Sequence, residues 1–221
     1  MRLAAALILS YLVGSIPWSL LAARLLGGVD LRRVGSGNLG ATNVFRALGA
    51  WTALAVLALD AAKGVVAVLL IARLAPAALG AGGVATLCGL AAILGHMFPF
   101  YLGFRGGKGI ATSAGVFAAL EPTAFWVCLG VFAISFLASG GIVSLGSLLG
   151  SLALPIAIGI AAAARDSVDW TRLLLVCALV VVVWVRHAAN IRRLLRGDEK
   201  GLLRQKRNTA RTLTGAGEEV R

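Results

Sequence analysis

Residues 95–112, Gly-His-Met-Phe-Pro-Phe-Tyr-Leu-Gly-Phe-Arg-Gly-Gly-Lys-Gly-Ile-Ala-Thr, join a histidine to a glycine-rich basic turn. His96 is one of only two histidines, and Arg105 and Lys108 stand among Gly103, Gly106, Gly107 and Gly109. Glycines let successive backbone N–H groups turn toward one point, and cations beside such a turn suit phosphate oxygens. An imidazole with its ordinary pKa of about 6.5 suits proton transfer. An apolar protein has no packing use for this segment.

Two further polar clusters carry compatible chemistry. The first runs from Gly35 to Arg46 and holds Ser36, Asn38, Thr42 and Asn43 as uncharged hydrogen-bonding groups, with Gly37 and Gly40 between them and Arg46 as a fixed cation. A capped helix start is the competing reading of such residues. The other is Arg186 to Glu199, where His187 and Asn190 lie three apart and share a helical face. Arg192, Arg193 and Arg196 suit anchoring in anionic head groups. Gly35 to Gly40 fits G-x-G-x-x-G, but the dinucleotide reading needs a preceding strand, and an apolar helix, Leu3–Leu26, stands there. Gly103 to Gly109 is not a Walker loop, since Leu102 replaces its first glycine and Gly109 its Ser/Thr.

The elements that must position these clusters are membrane helices. The chain is 59% hydrophobic and 14% charged, with a net charge of +12. A soluble domain carries about a quarter charged residues. The basic residues flank apolar runs instead of forming a soluble basic face, which excludes nucleic acid and points to the lipid bilayer and anionic substrates. Cys88, Cys128 and Cys177 lie within apolar runs with no metal-ligand spacing, so no metal or other cofactor is expected.

Seven runs follow in order: Leu3–Leu26, Trp51–Leu74, Ala77–Leu94, Ile110–Leu120, Thr123–Ala138, Ile142–Ala164 and Trp170–Val185. The predicted fold is therefore an all-α polytopic membrane protein of about seven spans, or five if the short runs merge. Asp60 and Lys63, three apart within the second run, are expected to form an internal ion pair. Parity places the three polar clusters on one side. Arginine and lysine concentrate there, which puts that side and the C-terminus in the cytoplasm and the N-terminus outside. Residues 1–199 form one membrane domain, and 200–221 read as a mobile basic tail.

The segments Ser36–Gly49, Gly95–Gly115 and Arg186–Glu199, with Asp60–Gly64, resemble the bacterial membrane-bound glycerol-3-phosphate acyltransferases that use acyl phosphate. Arg105 stands where a lysine is commoner, and the tail is long. The resemblance implies acyl transfer from acyl phosphate to the 1-hydroxyl of sn-glycerol 3-phosphate at the inner membrane of a bacterial cell, with a site facing the cytoplasm. It implies catalytic roles for Ser36, Asn38, Arg46, His96, Lys108, His187 and Asn190. Phosphate binding falls to Gly37, Gly40, Thr42 and Asn43 in the first motif, to Arg105, Gly106, Gly107, Gly109 and Thr112 in the second, and to Arg186 and Glu199 in the third. No His-x-x-x-x-Asp is present, because Tyr101 and Arg192 stand five after the histidines. An organic-phosphate or anion transporter is the alternative; it would use the same cations, but internal repeats are not visible.

Overall fold

The computed structural model describes residues 1–76 and 80–203, so most of the tail lies outside the described residues. Among them every regular element is helical: α1 (Arg2–Ser15), α2 (Trp18–Gly27), α3 (Ala41–Leu48), α4 (Ala50–Leu69), α5 (Gly80–Met97), α6 (Ile110–Leu120), α7 (Pro122–Ala138), α8 (Val143–Ala163), α9 (Trp170–Arg186) and α10 (Ala188–Leu195), with short 3₁₀ turns between some of them. In hydrocarbon no water satisfies backbone groups, so long Ala/Leu/Val runs fold as helix.

Over their described residues the seven apolar runs are helical, the first with a break between Ser15 and Trp18, but they differ in reach. Arg2–Gly27, Ala50–Leu74, Gly82–Leu102 and Val143–Ala163 are long and apolar enough to cross a bilayer, and α9 with α10 adds a fifth unit bent by 63°. The runs at 110–120 and 123–138 stay separate helices, parted at Glu121 by Pro122 at the first turn of α7. With 11 residues, α6 rises about 16 Å, roughly half the hydrocarbon thickness of about 30 Å. Apolar side chains such as Ile134, Ile160 and Leu174 lie more than half exposed, as lipid-facing residues do. Trp51, Trp126 and Trp170 sit exposed near helix starts, where aromatic residues meet head groups.

Lipid tails are as apolar as leucine, so helix pairing depends on close backbone approach. Gly14 of α1 sits against the Ala92 carbonyl of α5, and Gly95 of α5 against the Tyr11 carbonyl; a Cβ at either position would overlap those atoms. Gly64 of α4 and Gly115 of α6 pack in the same way. Leu20, Leu31, Leu39, Val44 and Val56 form a second core beneath the first polar cluster, with Leu102 of the central motif packed on it. That core brings two distant segments to one end of the bundle.

Candidate active site at the polar end of the bundle

The first cluster is a loop braced from beneath. Asn43 of α3 is 1% exposed. Its amide donates to the carbonyls of Leu31 at 3.1 Å and Val34 at 3.0 Å, and its oxygen accepts from the Ser36 N–H at 3.1 Å. Gly35 lies at φ +60°, and a Cβ there would overlap the Asn43 oxygen. Ser36 and Gly37 are thereby presented on the surface, and Asn38 is half-buried. Thr42 and Arg46, four apart on α3, share a face beside the buried Asn43. Gly40 precedes the helix with its N-cap carbonyl engaged by Asn43 and Val44.

The central motif doubles back on itself. Gly106 N–H donates to the Met97 carbonyl at 3.0 Å and Gly107 N–H to the His96 carbonyl at 3.1 Å. Tyr11 donates its hydroxyl to the Phe98 carbonyl at 2.6 Å, and Tyr101 donates to the Ser15 carbonyl, tying the motif to α1. Gly109, at φ +82°, begins α6. Thr112 in its first turn is buried, its hydroxyl lacking a hydrogen-bond partner among the described residues. Arg105 is exposed, and with Arg32, Gly37, Leu102 and Gly103 it lines a cavity of about 440 Å³ between the first and second motifs. Arg32 is gripped by Asp30 at 2.6 Å; hydrogen bonds from Arg32 hold the Asp30 carboxyl well below the usual carboxylate range.

The third motif clasps the second. Arg186 donates from Nη2 to the Gly106 carbonyl at 2.7 Å and from Nε to the Gly107 carbonyl at 3.2 Å, and its guanidinium lies over the Phe98 ring. Lys108 donates from Nζ to Asn190 Oδ1. Asn190 Nδ2 donates to Glu199 Oε1 at 2.6 Å, Ser144 Oγ donates to the same oxygen at 2.7 Å, and Arg193 Nε pairs with Oε2. Burial opposes ionisation of Glu199, yet the bonds from Arg193, Ser144 and Asn190 keep its carboxyl below the usual range. Burial pushes the Lys108 ammonium down to about 8, against the pull of Glu199, with Arg193, Arg186 and Arg46 adding repulsion. Arg46 thus shares one electrostatic field with Lys108, although its guanidinium makes no hydrogen bond or ion pair among the described residues.

The two histidines are differently placed. His187 is 2% exposed. Its Nδ1 lies 2.8 Å from the Val183 carbonyl; a carbonyl only accepts, so Nδ1 carries the proton and Nε2 the lone pair. His96 is buried beside Asp60 and Lys63, which are themselves 2.7 Å apart.

The first motif meets the second at the cavity between Gly37 and Arg105 and where Leu39 approaches Gly107, and the third meets the second through Asn190 and Arg186; Thr112, Asp60, Lys63 and His96 are buried instead. Arg186 is turned toward main-chain carbonyls and Asn43 toward its own loop, so both build the site from behind. Ser144 and Arg193 are the members that sequence reading missed. A lone serine at the start of α8 carries no signal, and Arg193 resembled the head-group anchors beside it.

A bundle of apolar helices with a cavity lined by Arg32 and Arg105 defines an integral membrane protein with a polar, cationic end. Comparison with known proteins narrows that class. The family model for glycerol-3-phosphate acyltransferase matches residues 4–197, and the chain belongs to that family. It is 47% identical over 191 residues to the glycerol-3-phosphate acyltransferase of Anaeromyxobacter dehalogenans, covering 86% of this chain and 92% of the relative. The Halalkalibacterium halodurans protein of the same name is 43% identical over 200 residues, 90% of this chain and 95% of that one. Among solved structures, the fold is similar to the integral membrane glycerol 3-phosphate acyltransferase PlsY (YgiH) in its glycerol 3-phosphate form, with a TM-score of 0.81, 36% identity and coverage of 91% and 96% of the two chains. The lysophosphatidic acid form of PlsY gives a TM-score of 0.78, with 34% identity and coverage of 91% and 95%.

Proposed function

We propose that this chain transfers a fatty acyl group from acyl phosphate to the 1-hydroxyl of sn-glycerol 3-phosphate, giving lysophosphatidic acid and inorganic phosphate. The observation that carries this reading is Lys108. Its ammonium meets a neutral amide oxygen, not a carboxylate, with Arg46, Arg186 and Arg193 near enough to raise the local potential. Such a cation is poised to take a phosphate. The family membership and the relatives named for glycerol 3-phosphate support the acceptor.

Attack is direct. The acceptor oxygen forms a bond to the acyl carbonyl carbon, the bond from that carbon to the phosphate oxygen breaks, and phosphate leaves. Acyl phosphate is a mixed anhydride with a good leaving group, so a covalent acyl-enzyme is not required. Ser36 supports this reading, because no histidine lies within hydrogen-bonding distance of its hydroxyl among the described residues. Ser36, Asn38 and backbone N–H groups stabilise the tetrahedral oxyanion. Arg46 and Lys108 hold the phosphates, with Gly37, Gly40 and Thr42 on one wall and Arg105 on the other; Gly109 and Thr112, which are buried, support the turn from beneath. The acceptor proton goes to His187 Nε2 or to a substrate phosphate oxygen. Replacing His187 with Asn separates the two: an unchanged kcat assigns the proton to phosphate. The dense arginine and lysine of this end support a site that faces the cytoplasm, at the inner membrane of a bacterial cell.

The deciding experiment is phosphate release by purified protein in detergent, where transport has no meaning. Release from acyl phosphate that depends on glycerol 3-phosphate is expected. Equal activity with acyl-CoA would overturn the donor, and no release at all would favour a transporter.

A further inference from the structure

The reaction above leaves one buried group unused. Asp60 and Lys63 of α4 are 2% and 4% exposed and 2.7 Å apart, so their charges cancel within the bundle. Lys63 also donates to the Ile16 carbonyl at 3.0 Å, at the break between α1 and α2. The same Asp60 oxygen faces His96 Nδ1 at 3.5 Å. Asp60 Oδ1 accepts no hydrogen bond among the described residues, so its pull on Nδ1 is electrostatic; it favours the proton on Nδ1 and leaves Nε2 bare. In a hydrolytic triad that bare nitrogen faces the reacting group. Here it faces backbone. A Cβ on Gly107 would overlap His96 Nε2 and would lie 2.7 Å from the Leu39 carbonyl.

Gly107 is fixed on every side. Its N–H donates to the His96 carbonyl, its own carbonyl accepts from Arg186, and the His96 ring packs against its α-carbon. Lys108 is the next residue. We propose that Asp60 and His96 are positioning residues for acyl transfer. The imidazole, oriented by the buried carboxylate, is the strut on which Gly107 rests, and through the shared peptide it sets where the Lys108 ammonium stands. The consequence for catalysis rests on Lys108 holding phosphate, as proposed above; the strut itself does not.

Amide hydrogen exchange of the purified, substrate-free protein reads the strut directly. His96→Gln is expected to speed exchange at Gly106 and Gly107 about tenfold while the α4 amides stay protected. In turnover the same variant raises KM for glycerol 3-phosphate about tenfold and lowers kcat less. Gly107→Ala is expected to cost about 100-fold in kcat/KM in the native background and severalfold less beside His96→Ala, where the ring no longer fills the space and only the Leu39 carbonyl still meets the new Cβ. Asp60→Asn with Lys63→Met removes both buried charges together and keeps the fold, and exchange at Gly106 and Gly107 rises as in His96→Gln. Unchanged exchange in either variant overturns the strut. A collapse of kcat at constant KM in His96→Gln makes His96 a chemical participant, and additive losses for His96→Ala and Gly107→Ala break the link between them. Because the exchange arm uses no substrate, an error in the donor or acceptor leaves it standing.

Discussion

Two lysines in this molecule, Lys63 buried and Lys108 half-buried, do opposite things. Lys63 meets Asp60 at 2.7 Å and donates to a main-chain carbonyl, so its charge is paired. Lys108 meets the amide oxygen of Asn190, and the carboxylate of Glu199 stands one residue further away, bound to Asn190, Ser144 and Arg193. A buried charge that is paired holds helices together. One that is partly satisfied retains attraction for an arriving anion. The difference lies in the partner, not in the lysine.

The sharpest way to break this contrast is to remove each amine. Lys108→Met is expected to lower acyl transfer about 1,000-fold, as loss of a key electrostatic group does, with thermal unfolding in detergent unchanged. Lys63→Met leaves Asp60 buried beside His96 alone and is expected to cost about 3–5 kcal/mol of stability, read as a large fall in the unfolding midpoint. If Lys63→Met folds normally, the pair is not what holds α4 in place.

Arg186→Lys comes next. A lysine cannot reach two carbonyls with a planar fork. The Gly106–Gly107 segment should loosen, with a loss of about 10- to 100-fold in kcat/KM, comparable to losses from other misplaced supports. A wild-type rate in this variant would return Arg186 to a direct role on substrate.

The pH dependence separates the lysines further. The Lys108 ammonium titrates at about 8, so its charged form falls as pH rises through that value. In the substrate-free enzyme kcat/KM should therefore decline above pH 8, reaching about a tenth by pH 9. Lys108→Arg keeps its charge and should flatten that limb, whatever its absolute rate. A limb that survives Lys108→Arg belongs to another group.

The smallest expected effect is Asn43→Ala. It leaves the Ser36 N–H and the carbonyls of Leu31 and Val34 without their partner, at a cost of about 1–3 kcal/mol. Calorimetry or thermal shift measures it.

Much of the site was legible in the sequence because its motifs are local. Ser36 to Arg46, Gly103 to Gly109 and Arg186 to Glu199 each carry composition unlike the lipid-facing runs around them. Asp60 and Lys63 met because three residues on a helix return to one face. The roles of Arg186, Asn43 and His96 were not legible. A guanidinium reads as a phosphate ligand whether it faces substrate or the Gly106 carbonyl. Ser144 and Glu199 are 55 residues apart, and no periodicity links them.

From the amino-acid order came the membrane helices, the loops between them and the cationic, glycine-rich character of those loops, since hydropathy and backbone freedom act over a few residues. Which polar group faces a ligand and which faces its own chain was decided only when the helices packed. Close glycine contacts brought α1 to α5 and α4 to α6, and that placement put His96 behind Gly107 and Asn190 in front of Lys108. Hydrogen bonds reach about 3 Å, so residues about 80 positions apart are matched only by the fold that brings them within that range.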